Sequence, residues 1–328
     1  MNKYKYITLC LVMLSMQSCK KDGIQNPITN TPVNSAKEFI TQTIFVEPWG
    51  AADANTELTG LAYDSLNDQI FWTKCRWQWN NEIMRYNLTS GNYDYVYSYT
   101  SQMDYGLRML GTNLWLVRTY DSTLVKFSSL ASYPITNEQT IIPRGAYPAF
   151  NNINDIALVS GSLFIIPGQM VDIPTYHGIQ RLSAPGYSNV QRVTPELWAP
   201  VSYTNFRSIV SVGSNLVIAT GDSGSIEVRD TSGILLQRQS GYGNTYLQTD
   251  TRNRIYSMIT FPEPVRIIRW SSDLSAKEEF NIRTSPSLYG AQRVLFVLRE
   301  KKKDSVDVIM TPFLETSKPV FQMATIPK

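Results

Sequence analysis

Short apolar runs recur along this chain from Lys37 onward, and their spacing limits the folds that the chain can adopt. The clearest run of each repeat begins near residues 69, 113, 162, 215 and 254, which gives a period of about 40 to 50 residues. Each such run follows a short polar turn, with one strand-like run before it and two more after it. Four short strands per unit at this period are typical of β-propeller blades.

The two ends of the chain complement each other in this pattern. The last repeat, from residue 293, contains only three strand-like runs, whereas residues 38–45 form a spare run. A ring whose last blade takes its outer strand from the N-terminal region leaves no loose edge. The sequence therefore predicts an all-β, six-bladed β-propeller over residues 37–328, with residues 38–46 pairing beside 319–325. A pair of β-sandwiches is the alternative that the strand pattern leaves open.

The first repeat carries a more specific pattern. Its three segments are Leu61-Ala62-Tyr63-Asp64, Phe71-Trp72-Thr73-Lys74 and Ile83-Met84-Arg85-Tyr86-Asn87-Leu88. They resemble a blade of the six-bladed propellers of the YWTD/NHL-like superfamily, with Phe71 in place of a tyrosine and Lys74 in place of an aspartate. The resemblance covers this blade alone and implies an architecture, not a function.

Residues 1–18 have the pattern of an export signal. Lys3 and Lys5 precede an apolar segment, and the small residue Ser18 precedes Cys19. The segment Leu14-Ser15-Met16-Gln17-Ser18-Cys19 resembles the lipobox of bacterial lipoproteins, with Met16 and Gln17 departing from the usual residues. The resemblance implies that residues 1–18 are removed and that Cys19 carries acyl chains such as palmitate. An uncleaved anchor is the alternative, although the apolar run is shorter than the ~20 residues that span a bilayer.

The segment after the signal predicts a tether and a location. Residues 19–36 are polar and contain two prolines and a glycine, which is typical of a flexible stalk. Lys20 follows the cysteine, where the inner-membrane retention signal of such lipoproteins usually has aspartate. The resemblance thus implies an outer-membrane lipoprotein that faces either the periplasm or the cell surface.

Composition excludes several classes of function. Removing residues 1–18, which hold two lysines and no acids, lowers the net charge from +3 to +1, so nucleic acid is not an expected partner. His177 is the only histidine, and Cys75 is the only cysteine beyond Cys19. We therefore expect no intrachain disulfide, no metal site and no cofactor.

Aromatic residues in predicted loops are the first set of candidate ligand contacts. Trp77 and Trp79 fall in the loop between the second and third strands of the first repeat, where exposed rings suit stacking on a sugar or packing on a protein. Tyr120, Tyr176 and His177 complete this set. The structural alternative is that the tryptophans cap the blade edge.

Arginines near the starts of the first strands form a second set. Arg108, Arg207 and Arg293 recur there, with Asp155 in the corresponding place of the third repeat. Converging guanidinium groups at the mouth of the channel would bind a carboxylate or a phosphate. Alternatively, each arginine pairs with an acid or a carbonyl and ties the blades together.

These features favour a membrane-tethered binding protein that takes a glycan or an envelope protein through the face of the ring that carries the long loops. The rival hypothesis is a lyase or hydrolase acting at the channel mouth around His177 and the arginines. No residue is predicted to be catalytic, because no Gly-x-Ser-x-Gly elbow occurs in the chain. Whether the chain is an enzyme stays open, with non-catalytic binding favoured.

Overall fold

In the computed structural model, Lys37–Lys328 form one compact unit. The structure describes residues 37–48, 56–76, 80–100, 106–118, 123–128, 130, 133–136, 138–142, 153–167, 179–183, 187, 190–193, 206–221, 224–243, 245–260, 264–285, 294–312 and 319–328. All regular elements among these residues are strands. The described residues therefore include no helix that is long and apolar enough to cross a membrane.

The strands form six sheets that follow one another as the blades of a β-propeller. Blade one contains β3 (Thr56–Asp64), β4 (Gln69–Arg76), β5 (Asn80–Asn87) and β6 (Tyr93–Thr100). Blade two contains β7 (Gly106–Leu110), β8 (Asn113–Arg118), β9 (Thr123–Phe127) and β10 (Glu138–Ile142). Blade three contains β11 (Ile153–Val159), β12 (Ser162–Pro167), β13 (Gln180–Leu182) and β14 (Val190–Arg192).

The remaining blades use both ends of the described chain. Blade four contains β15 (Phe206–Val212), β16 (Asn215–Thr220), β17 (Ser225–Arg229) and β18 (Leu235–Ser240). Blade five contains β19 (Leu247–Thr249), β20 (Ile255–Ile259), β21 (Val265–Trp270), β22 (Lys277–Arg283) and β1 (Glu38–Ile40). Blade six contains β23 (Val294–Arg299), β24 (Ser305–Pro312), β25 (Val320–Pro327) and β2 (Gln42–Val46).

Tight turns join the first and second strands of the blades. The turn between β11 and β12 is Ser160-Gly161, and both residues have positive φ angles, of 47° and 76°. Two consecutive positive φ angles define a type I′ turn, whose twist matches that of the strands on either side. The short polar turns of the sequence therefore set the strand register locally.

The core lies between the blades. Each of six clusters of buried apolar side chains joins two neighbouring blades, and one of them joins blade six to blade one. A sheet needs a partner for each apolar face, and in a closed ring every blade has two. The ring closes because its first and last blades satisfy each other in this way.

The N-terminal strand closes the last blade, as predicted, but the pairing of its first residues differs from the prediction. Strand β2 pairs antiparallel with β25, with Gln42 opposite Met323 and Val46 opposite Val320. The expectation that residues 38–40 pair in the same blade is wrong. Strand β1 instead pairs parallel with β22 of blade five, with Glu38 opposite Asn281. Thr41 allows this change of blade, because its hydroxyl donates to Gln322 Oε1 of β25 at 2.7 Å.

The blades give the ring two distinct ends. At the turn end, the first strand of each blade turns into the second, as at Asp64 and Gln69 of blade one. At the loop end, second strands finish and third strands begin, as at Arg76 and Asn80. The central channel runs between the two ends and is lined by the first strands.

Candidate functional site

Most of the residues predicted to bind a ligand or lipid lie outside the described residues. These are Cys19, Trp77, Trp79, Tyr120, Tyr176, His177 and Arg293. Arg108 and Arg207 are described, and both lie on first strands that line the channel. The described part of the candidate site is therefore the channel and not the loops around its mouth.

Arg108 lies at the centre of a hydrogen-bond network across the channel. Its Nε atom donates to Asp155 Oδ1 at 2.7 Å, and its Nη2 atom donates to Asp155 Oδ2 in a short contact. Nη2 also donates to Ser208 Oγ at 2.8 Å, and Nη1 donates to the Leu247 carbonyl at 3.2 Å. The network connects the first strands of blades two, three, four and five. We call Arg108, Asp155, Ser208 and Leu247 the channel network.

The Asp155 carboxylate accepts further hydrogen bonds besides those from Arg108. Its Oδ1 accepts the Ile156 amide at 2.9 Å, and its Oδ2 accepts the Ile209 amide and the Ser208 hydroxyl, both at 2.9 Å. Burial alone would lower the pKa of the Arg108 guanidinium, but the adjoining Asp155 carboxylate outweighs it and raises that pKa. Arg108 and Asp155 thus form a buried ion pair.

Two β-bulges aim Asp155 and Ser208 at Arg108. The register of β11 shifts between Ile153 and Asp155, and that of β15 shifts between Phe206 and Ser208. A bulge adds one residue to a strand and redirects the side chains that follow it. Sequence reasoning missed Ser208, although its place directly after Arg207, at the start of a first strand, was a usable signal.

Arg207 is itself the extra residue of the bulge in β15, and it is half-buried. It lies directly before Ser208 on β15 and, unlike Arg108, it is not among the residues that line the two cavities of the channel described below. Sequence spacing placed Arg108 and Arg207 in equivalent positions of their repeats. The bulge makes the two positions different, and spacing alone cannot show a bulge.

At the loop end of blade one, several polar groups are buried next to the strands that frame Trp77 and Trp79. The Thr59 hydroxyl lies 2.7 Å from Thr73 Oγ1 and 3.0 Å from the Sγ atom of the buried Cys75. Lys74 is also buried and forms an ion pair with Glu47, with Nζ and Oε1 at 3.7 Å. These contacts hold the end of β4 rigidly at the base of the loop.

The part of the chain that the structure describes contains no candidate metal site. No group of three or more histidine, cysteine, aspartate or glutamate side chains there has the geometry to hold an ion. The charged groups of the channel network are instead occupied with one another.

Comparisons with known proteins define the class through the fold. No protein-family model matches the sequence, and no curated protein sequence matches it. Among solved structures, the calcium-binding protein regucalcin from Agrobacterium tumefaciens strain C58 is 11% identical, with a TM-score of 0.57 over 89% of this chain and 96% of that chain. A chain of a nidogen–laminin complex is 14% identical, with a TM-score of 0.51 over 68% of this chain and 80% of that chain. At these identities the similarity shows the six-bladed β-propeller fold alone.

Proposed function

We propose that this chain is an outer-membrane lipoprotein, anchored through Cys19, whose propeller binds a glycan or an envelope protein through its loop end without catalysing a reaction. The proposed contacts are Trp77, Trp79, Tyr120, Tyr176 and His177, together with the arginines Arg207 and Arg293 at the channel mouth. Arg108 contributes as the residue that fixes the first strands behind them.

The hydrogen bonds that occupy the Arg108 guanidinium are the observation that favours binding over catalysis. A guanidinium that stabilises a transition state must be free to meet charge that develops on the substrate. That of Arg108 donates to Asp155, Ser208 and Leu247, and the Asp155 carboxylate accepts from four protein groups. The channel network therefore acts as a framework on which a binding surface can be built.

The path of the N-terminal region supports the proposed tether. Strand β1 lies on the outer edge of blade five, next to β22. A flexible stalk of the composition of residues 20–36 would span about 20–25 Å. The proposed stalk would therefore join the described chain at the outer strand of blade five.

A glycan array tests the binding proposal with a defined probe. We expect the full chain, labelled and held in detergent micelles, to retain a small set of related glycans or, if the partner is a protein, none. Release of shortened products from the bound glycans would contradict non-catalytic binding.

The tryptophan pair then tests the surface. Trp77→Ala and Trp79→Ala should each weaken binding of the best array glycan by about tenfold, the scale of a truncated interface aromatic, with little change in melting temperature. Tyr95→Ala is the matched control, because Tyr95 is an exposed aromatic on the outer strand of the same blade. A loss of stability without a selective loss of binding would mean that the tryptophans are structural.

Acyl labelling tests the anchor separately. We expect the wild-type chain to incorporate labelled palmitate in a Gram-negative host and Cys19→Ala to incorporate none. Equal labelling of the two chains would contradict the lipoprotein proposal while leaving the binding proposal intact.

A further inference from the structure

A cavity of about 590 Å³ opens at the turn end of the channel, opposite the proposed loop surface. The second halves of all six first strands line it, together with turn residues such as Ser65 and Thr251. A much smaller cavity of about 20 Å³ lies toward the loop end, and Arg108 lines both. Arg108 of the channel network therefore lies at the inner end of the larger cavity, whose volume lies in the range of small-molecule sites.

The wall of this turn-end cavity is apolar on one side and polar on the other. Met109, Leu110 and Leu158, from blades two and three, are half-buried and present apolar surface. Ser211 and Thr249, from blades four and five, are half-buried on the next part of the wall, and their hydroxyls form no hydrogen bond among the described residues. A ligand that fills the cavity must therefore combine an apolar body with polar atoms along one edge.

Lys301 supplies the uncompensated charge of the wall. The other cation, Arg108, is neutralised by Asp155. The carboxylate of Glu300 accepts the Thr251 amide at 2.8 Å and the Thr251 hydroxyl at 2.9 Å, and it pairs with Lys328 at 3.4 Å. The exposed Lys301 ammonium donates to the Ser65 carbonyl at 3.3 Å and has no carboxylate partner among the described residues. A ligand with a negatively charged group would provide the Lys301 ammonium with a counter-ion.

We propose that the turn-end cavity binds an amphipathic organic anion, a carboxylate on an apolar body, with the apolar body against Met109, Leu110 and Leu158 and the carboxylate at Lys301. The hydroxyls of Ser211 and Thr249 then bond the polar edge of the ligand. This site is independent of the proposed loop surface, because the channel network separates the two.

A pair of matched probes tests the chemistry. The full chain in nonionic micelles is titrated with 4-phenylbutyrate and with 4-phenylbutan-1-ol, with empty micelles as the blank, and dissociation constants are read from ligand-observed NMR. We expect saturable binding of the carboxylate and weaker binding of the alcohol. Lys301→Gln should weaken binding of the carboxylate by about two- to fivefold, the scale of an exposed ion pair, and should leave binding of the alcohol unchanged. Lys303→Gln, in the same hairpin but outside the cavity wall, should change neither constant.

Filling the cavity tests its location. Ser211→Trp should abolish binding of both probes, and Thr249→Phe, on the adjacent blade, should do the same if the first variant folds poorly. Absence of saturable carboxylate binding at 10 mM would overturn the proposal, as would binding that survives a folded filling variant. Equal affinities for the two probes, with no effect of Lys301→Gln, would overturn the assignment of an anion. None of these results depends on Trp77 or Trp79, so the loop-end proposal stands or falls separately.

Discussion

The ring is held together in two different ways at two places. Around the channel, the network of Arg108, Asp155, Ser208 and Leu247 joins blades two to five through one buried charge pair and its hydrogen bonds. At the outside of blades six and one, the closure relies on apolar packing. There Phe45 stacks on Tyr86 with ring centroids 4.4 Å apart and also contacts Trp72 and Phe321.

The difference follows from the geometry of a propeller. First strands converge at the axis and leave backbone polar groups along the channel, so polar side chains there find many partners. Outer strands diverge, and the gap between blades six and one is filled by large aromatic rings. Glu47 also enters this closure: it is fully buried, accepts the Trp72 indole at 2.7 Å and pairs with the buried Lys74 at 3.7 Å. Loss of one partner of the charge pair should therefore cause a large drop in the free energy of unfolding. Loss of apolar side chains should lower it in proportion to the volume removed.

Deleting residues 37–46 should have the largest effect. The deletion removes β1 and β2, exposes the edge of β25 and takes Phe45 out of the aromatic cluster. We expect the melting temperature to fall by more than about 10 °C, or cooperative unfolding to be lost. Deleting residues 27–36, a segment of equal length outside the compact unit, is the control. A melting temperature within about 2 °C of the parent would show that the N-terminal strand does not close the ring.

Asp155→Ala should be the most damaging single substitution in the channel. It leaves the guanidinium of Arg108 buried without its counter-ion, which costs about 3–5 kcal/mol in the free energy of unfolding. Urea denaturation measures this loss. The neutral double variant Arg108→Gln with Asp155→Asn should lose clearly less, because no charge is left unpaired. If the double variant is as unstable as Asp155→Ala, the network stabilises through shape and not through charge.

Gly60→Ala should cost about 1–3 kcal/mol, the usual range for overpacking. Gly60 follows a bulge at the start of β3, and a Cβ atom there would lie 2.8 Å from Leu107 Cβ and 2.9 Å from the Leu107 amide nitrogen of blade two. Combining it with Leu107→Gly should give less than the sum of the two losses, since that substitution removes the Leu107 Cβ atom. Strict additivity in denaturation experiments would mean that the two strands are not in contact.

Asp68→Asn should have the smallest effect, and one that depends on pH. Arg299 of blade six donates to both oxygens of Asp68 of blade one at 2.8 Å, and these bonds hold the pKa of the Asp68 carboxyl well below its usual range. A lowered folded-state pKa stabilises the protein above the ordinary pKa of about 4, and this contribution is lost as the pH falls through the lowered value.

The melting temperatures of Asp68→Asn and the parent should therefore differ by a few degrees at pH 7, and the difference should shrink steadily as the pH falls below about 4. Asp304→Asn, an exposed acid at the tip of the β23–β24 hairpin, should match the parent throughout. A difference between parent and Asp68→Asn that grows on acidification would contradict the assigned sign.

Much of the architecture could be predicted from the sequence because its causes are local. The spacing of runs such as Gln69-Ile70-Phe71-Trp72 and Asn215-Leu216-Val217-Ile218 marks buried strands, and turns such as Ser160-Gly161 fix their pairing. The three-strand last repeat also predicted the pairing of β2 with β25. The change of blade at Thr41 was not predictable, because residues 38–45 form one uninterrupted strand-like run in the sequence.

The sequence by itself determined that this chain folds into strands, that they repeat six times and that the ring closes with its own N-terminal region, since turns and apolar alternation act over a few residues. Only the tertiary structure decided that Arg108 pairs with Asp155 and Ser208, and that the turn-end cavity has apolar and polar sides. Those contacts join residues 47 and 100 positions apart on different blades. They exist because closure brings six first strands to one axis, where a bulge in one strand decides which side chain its neighbour meets.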